Sequence, residues 1–367
     1  MKITRISLWS CPLTSHADYH MAGGKSCLTT ESIIVRVDTD TGLSGWGENC
    51  PIPHYLPAYA GGVAPALDYM MPEILGADPV GAEALMAKLN RYLLGHNYAK
   101  SVLDMAFWDI TAKVAGLPLY SLLGGRRRQS MPVYHSLTCI APDEMAHMAV
   151  EAKQSGVTQF QVKLGADNNW EADVARISKV REAVGPSLFV YADWNCGAAK
   201  LDAMRTARAV AHLDVMLEQP CETINDCASV KKATGLPIKL DESTQTMGDL
   251  ITASQMDCLD ATALKISKFG GLSSARRARD LCTHLGVKMC VEDTWGSDIV
   301  TAAALHLGAS TAPKFLLNVC DLSSYVGPRL DPASPSRKDG FINPSEKPGL
   351  GVTPDMDILG KPQQIWE

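Results

Sequence analysis

Five ionisable residues, Lys163, Asp193, Glu218, Asp241 and Lys265, follow one another at intervals of 23 to 30 residues. They close five short apolar runs, TQFQVKLG, LFVYADW, DVMLEQ, PIKLDE and ATALKIS. A single acid at such a place is commonplace, as a helix cap or a surface charge. Three acids on consecutive runs, bracketed by lysines, form a chemical constellation. Carboxylates a few ångströms apart repel and raise one another's pKa, and a divalent cation relieves that repulsion. An oxygen-only ligand set with room for water and substrate is the preference of Mg2+. A lysine near a metal and a second ammonium has a lowered pKa and can act as a base.

The elements that bring these residues together are legible in the rhythm of the chain. From residue 131, eight apolar runs alternate with helical segments, MPVYHSLT opening the series and VKMCVED and KFLLNV ending it. Such alternation implies a parallel sheet of βα units, and eight of them fit a (β/α)8-type barrel, whose active sites lie at the C-terminal strand ends. Side chains alternate across a strand. Asp193 therefore shares a face with Tyr191 and Phe189, Lys163 with Gln161, and Asp241 with Lys239. Lys239 is expected to snorkel or to pair deeper in the barrel. A doubly wound sheet is the alternative, but no GxGxxG turn follows a first strand. Ahead of the barrel, strand-like runs over 2–13 and 32–48 turn at Asp40-Thr41-Gly42. Three helical patterns follow: GGVAPALDYMMPEIL, AEALMAKLNRYLL and YAKSVLDMAFWDITAKVAG, the last stopping at Gly116 before Pro118.

Composition excludes several classes of function. The chain has 367 residues, 46% hydrophobic and 20% charged, which is the make-up of a globular protein with a sizeable core. A net charge of −6 argues against a nucleic-acid binder, and the one tight basic run, Arg126–Arg128, reads as solvated surface. No apolar stretch is long enough to span a membrane, and the N-terminus lacks a signal-peptide core. The eleven cysteines are scattered without CxxC or zinc-type spacing and read as reduced core residues. A cytoplasmic homo-oligomer acting on a small-molecule carboxylate, with no nucleic-acid or membrane partner, is expected.

The motifs GLSGWGE (42–48), SVLDMAFWDITAKVAGLPLYSLLGG (101–125), YADWN, LEQP, LDES, LKISKFGG and KPGLGVTPD (347–355) run in order along nearly the whole chain. Together they resemble the enolase superfamily, in its mandelate racemase and muconate-lactonising branch. The resemblance implies a modified (β/α)7β barrel with an N-terminal α+β capping domain that the C-terminal tail completes. The cap would span 1–125, the barrel 126–320 and the returning segment 321–367. It implies Asp193, Glu218 and Asp241 as Mg2+ ligands and Lys163 and Lys265 as an acid/base pair on opposite faces of the substrate. Asn195 and Glu242 would stand beside the ligands. Many relatives in this branch carry Lys-x-Lys on the second barrel strand, where this chain has Gln161-Val162-Lys163; Gln161 and Asn195 are candidate substrate contacts.

CPIPHYLPAY and GHNYAKSVLD resemble the subgroup acting on proline derivatives, which dehydrates cis-3-hydroxy-L-proline or epimerises hydroxyproline betaine. Glu292 and Asp293 could meet a cationic substrate nitrogen, or cap a helix or orient Lys265 instead. The eighth strand carries no aromatic residue for a quaternary ammonium, which favours a secondary amine. Trp295 and Tyr325 are alternative aromatic partners. Dehydration of cis-3-hydroxy-L-proline is the expected reaction, with 2-epimerisation as the alternative; an acid-sugar dehydratase and a non-catalytic metal-binding barrel rank below both. A hydrolase would be expected to show histidine ligands. The polar stretch Ser15–Ser26 reads as a lid loop, and His20, Tyr19 and Tyr55 are candidate substrate contacts.

Overall fold

In the computed structural model, which describes residues 1–367, the N-terminal runs form antiparallel strands Ile3–Ser15, Thr29–Thr39 and Ser44–Asn49. The reversal between the last two contains Gly42 at φ 82°, a conformation that glycine adopts without penalty. Helices Val63–Ile74, Ala82–Tyr92 and Asn97–Ala115 follow, and the third ends on Gly116 in the left-handed region. This third helix is buried without interruption from Tyr98 to Ile110. It lies between the cap sheet and the barrel, so no polar stripe is needed. Gly47 permits the close approach on the sheet side, because a Cβ there would land on the Val102 carbonyl.

Eight parallel strands build the second sheet: His135–Leu137, Gln159–Lys163, Phe189–Asp193, Met216–Glu218, Ile238–Leu240, Ala261–Lys265, Lys288–Glu292 and Leu316–Val319. They pair in sequence order, and a parallel bridge from Val133 to Val319 joins the two ends. One helix connects each strand to the next, from Pro142–Gln154 to Asp298–Ala309, giving the (β/α)7β barrel. The first apolar run is divided: Met131–Pro132 pairs antiparallel with Phe341–Ile342, while Val133 and strand His135–Leu137 join the barrel. Proline lacks the N–H that an internal strand must donate, which suits Pro132 to that two-stranded ribbon. No helix is long and apolar enough to cross a membrane.

Buried carboxylates lock the cap to the barrel by meeting backbone N–H groups at helix starts. Asp104 accepts from Ser273 N at 2.8 Å, at the start of helix Leu272–Leu285, and burial pushes its pKa up to about 7. Glu48 accepts from Ser297 N at 2.8 Å and Val300 N at 3.0 Å, at the start of Asp298–Ala309. Asp109 instead ties the cap sheet to the tail, accepting from Trp46 N in strand Ser44–Asn49 and from Leu350 N. The tail ends in strand Gln364–Trp366, which pairs antiparallel with Ile6–Leu8, so the C-terminus completes the cap sheet.

Candidate active site

Lys163, Asp193, Glu218, Asp241 and Lys265 all stand at or just beyond the C-terminal ends of strands two to six, and each is at most 4% exposed. Strand register sets the neighbours: Lys163 lies opposite Asp193, and Asp193 opposite Glu218. Lys163 Nζ donates to Asp193 Oδ2 at 2.5 Å and to Asn195 Oδ1 at 3.0 Å. Lys265 Nζ donates to Asp241 Oδ2 at 2.7 Å. Lys163 and Lys265 sit on the second and sixth of eight strands, half the ring apart, and both line one cavity.

Gln161 joins the second, third and fourth strands. Its amide nitrogen donates to Asp193 Oδ2 and to Glu218 Oε2, both at 2.9 Å, while its oxygen accepts from Ser136 Oγ at 2.6 Å. Asn195, at a positive φ of 43°, links Lys163 to Glu242 through a 3.1 Å bond to Glu242 Oε1. Glu242 Oε2 is buried without a partner. Lys239 is fully buried, with Nζ 2.8 Å from Glu218 Oε1, an ion pair whose angles fall outside hydrogen-bond geometry.

Burial and neighbouring charge oppose one another throughout the site. Burial alone would lower Lys163, yet Asp193, Tyr19 and Glu218 raise it well above the ordinary lysine value. Lys265 is likewise raised by Asp241, Glu292 and Glu242 against the effect of burial. Burial and then Asp193 push Glu218 up to about 7, with Lys239 pulling the other way. Burial, Asp241 and Asp193 push Glu242 up to about 8. Burial opposes the ionisation of Asp241, but Lys265 and Lys268 hold it below the usual carboxylate range. As the side chains stand, no three acidic, histidine or cysteine groups close around one point. Asp193 and Glu218 share the Gln161 amide, while Asp241 faces Lys265, Lys268 and Tyr55.

The cap supplies a tyrosine to each lysine. Tyr19 bonds Ser136 at 2.6 Å and lies 5.9 Å from Lys163 Nζ, and Tyr55 bonds both Asp241 and Lys265. Tyr19, Trp295 and Tyr325 pack in series, with ring centroids 5.2 and 6.1 Å apart, and form an aromatic wall of the cavity. The space between these groups is small, ≈ 40 Å³. Glu292 lines it and accepts from Tyr134 OH at 2.7 Å. Asp293 also reaches it, but its oxygens hold Ser267 N at 2.9 Å and Thr294 N at 2.7 Å, which is work in the loops after strands six and seven.

His20 is not brought to the cavity wall; its backbone is clamped to Thr138 and Cys139, and its neighbour Tyr19 takes the place expected for it. The stretch Ser15–Ser26 seats Ala22 against Gly165 and Gly197 at the barrel mouth, where a Cβ at Gly197 would land on Ala22. Sequence reasoning missed Lys268, whose Nζ lies 3.0 Å from Asp241 Oδ1 and 2.7 Å from its backbone oxygen. Its signal was the spacing Lys265-x-x-Lys268 past a strand end. Tyr134 was also missed, although parity along the first run puts it on the same inward face as Ser136.

A barrel carrying this ring of carboxylates and lysines beneath an α+β cap defines a class, and comparison with known proteins agrees. Residues 7–124 match the mandelate racemase / muconate lactonizing enzyme N-terminal domain, and residues 144–358 match the enolase C-terminal domain-like family. The chain belongs to the enolase superfamily, in its mandelate racemase/muconate-lactonising branch, and is an enzyme of that superfamily. The general reaction of the superfamily, removal of a proton beside a carboxylate by a lysine or histidine base, is an established pattern rather than a deduction from this chain. It is 39% identical to the cis-3-hydroxy-L-proline dehydratase of Roseibium aggregatum over 99% of both chains. It is 28% identical to the N-succinyl-L-Arg/Lys racemase of Bacillus cereus over 98% of this chain and 97% of that one. A crystal structure of an enolase-superfamily member from Roseovarius nubinhibens ISM complexed with magnesium superposes with a TM-score of 0.94 at 32% identity, covering 100% of this chain and 99% of that one.

Proposed function

We propose that the protein is a Mg2+-dependent dehydratase of cis-3-hydroxy-L-proline, forming 1-pyrroline-2-carboxylate. The observation that carries this reading is the placement of Lys163 and Lys265 across one small cavity, half the barrel ring apart. In cis-3-hydroxy-L-proline the 3-hydroxyl lies on the face opposite the Cα hydrogen. One lysine takes the Cα proton and the other protonates the departing hydroxyl, so that water leaves from the far face. The enamine that remains tautomerises to the cyclic imine.

The residues present fit a magnesium ion. Asp193, Glu218 and Asp241 offer only oxygen donors, Glu218 is pushed up to about 7 by burial and Asp193, and Glu242 keeps a buried oxygen without a partner. Bound there, Mg2+ would neutralise the carboxylates that hold the lysines protonated and would stabilise charge developing on the substrate carboxylate. Tyr55 and Asp241 aim the Lys265 ammonium, and Asn195 and Asp193 aim that of Lys163. Glu292 stands in the wall as the partner for the ring ammonium. The similarity to the Roseibium dehydratase supports a proline-type substrate.

The aromatic wall of Tyr19, Trp295 and Tyr325 favours a second reading, 2-epimerisation of proline, 4-hydroxyproline or its betaine, since stacked rings stabilise an alkylated ammonium. Proton NMR of the products formed with Mg2+ from cis-3-hydroxy-L-proline, trans-4-hydroxy-L-proline, its betaine and L-proline separates the two. Imine formed from cis-3-hydroxyproline supports the dehydratase. A new diastereomer formed from 4-hydroxyproline or its betaine, with cis-3-hydroxyproline untouched, overturns it in favour of the epimerase.

A further inference from the structure

Lys239 is a buried lysine near the site to which the reaction gives no task. It is fully buried in the barrel, two residues before Asp241 on the fifth strand. Its Nζ lies 2.8 Å from Glu218 Oε1 and 3.6 Å from Glu292 Oε1. The rings of Tyr191 and Tyr134 stand 4.6 and 5.7 Å from the same nitrogen, so an aromatic sleeve fixes the ammonium where it is.

The two acids it joins face different parts of the site. Glu218 is gripped from two sides, Oε1 by Lys239 and Oε2 by the neutral amide of Gln161 at 2.9 Å. Glu292 is gripped likewise, Oε1 by Lys239 and Oε2 by the Tyr134 hydroxyl at 2.7 Å. The other lysines are engaged elsewhere: Lys163 on Asp193, and Lys265 and Lys268 on Asp241. Lys239 is thus the cation paired with both Glu218 and Glu292, on strands four and seven.

We propose that Lys239 is a positioning residue that orients Glu218 for the metal and Glu292 for the substrate ammonium, coupling the two subsites from beneath. The two halves of this role separate by geometry. Gln161 already touches Glu218, so a cation at position 161 can replace Lys239 there. Gln161 has no bond to Glu292, so that half cannot be replaced from the second strand. The inference rests on the proposed readings of Glu218 as a metal ligand and of Glu292 as the partner of the substrate ammonium.

The test titrates Mn2+ into the full chain, following free Mn2+ by EPR, and measures KM for cis-3-hydroxy-L-proline at saturating Mg2+. Lys239→Met is expected to weaken Mn2+ binding about tenfold or more, in the range typical of groups that orient metal ligands, and to raise KM. Adding Gln161→Lys to Lys239→Met is expected to return Mn2+ affinity to within about threefold of wild type while KM stays high. Tyr134→Phe, which removes one hydroxyl from the Glu292 side, is expected to raise KM with Mn2+ affinity unchanged. A folded Lys239→Met protein with wild-type Mn2+ affinity and KM overturns the proposal. Should that variant not fold, the double variant and Tyr134→Phe decide: a double variant that regains KM together with Mn2+ affinity, or a Tyr134→Phe protein with unchanged KM, overturns it. Failure of the wild type itself to bind Mn2+ would overturn the metal-site reading, whereas intact wild-type binding with insensitive variants overturns only the role of Lys239.

Discussion

Lys163 and Lys265 are held by the carboxylates they flank, and each stands against its own cap tyrosine. Removing either amine should stop chemistry without unfolding the site, because Asp193 keeps Gln161 and Asn195 as donors and Asp241 keeps Lys268 and Tyr55. Lys163→Ala and Lys265→Ala are each predicted to lower kcat by about 10²–10⁴-fold, the usual worth of a general acid or base. Near-UV circular dichroism should be unchanged, and wild-type-like turnover in either variant would remove that lysine from the mechanism. At this scale the sequence was informative where charge recurred with the period of a βα unit. It was uninformative where two neighbours differ only in direction. Glu292 faces the cavity while Asp293 spends its oxygens on loop backbone, and nothing in the dipeptide distinguishes them. Lys268 lies past its strand end, where parity no longer applies, and Tyr19 reaches the cavity wall from a loop whose path no periodicity encodes.

The elements that carry the site are fixed by a few buried contacts whose loss is measurable. His306, in helix Asp298–Ala309, accepts from Tyr120 N at Nδ1 and meets the Leu350 carbonyl at Nε2, tying the exit from the cap to the tail. Burial lowers its pKa to about 4, so the fold prefers the neutral ring. A depressed folded pKa contributes stability above the unfolded value near 6.5, and that stability is lost as pH falls towards 4. The loss amounts to roughly 3 kcal/mol over that window. Denaturant unfolding of wild type and His306→Gln at pH 7 and pH 4.5 should show a smaller acid loss in the variant; equal losses would contradict this. Gly47→Ala drives a methyl group into the Val102 carbonyl, with backbone on both sides, and is predicted to cost about 3 kcal/mol, the upper end of over-packing. Unchanged unfolding would show that strand and helix can part. The period of the apolar runs made all eight barrel strands legible. It could not show that helix Asn97–Ala115 is covered on both faces, because only the assembled cap and barrel supply the second cover.

For the whole molecule, the cap sheet, the long helix and the returning tail close one end of a barrel whose polar residues converge on the same mouth. A cation that binds only the folded arrangement must stabilise it. At 100 times the dissociation constant, Mg2+ should add about 2.7 kcal/mol to stability, seen as a rise in Tm that EDTA reverses. A Tm indifferent to Mg2+ would argue against the metal site. The barrel and the tail's return could be read from strand rhythm and ordered motifs, whereas the contents of the cavity depend on loops whose paths no periodicity encodes. The most direct measurement is proton NMR of cis-3-hydroxy-L-proline with the wild-type enzyme in D₂O, with Mg2+ and with EDTA. Loss of the Cα–H signal as imine appears, with Mg2+ alone, is the predicted result. Persistence of that signal in both samples, or loss that continues in EDTA, would contradict a metal-assisted abstraction of the proton.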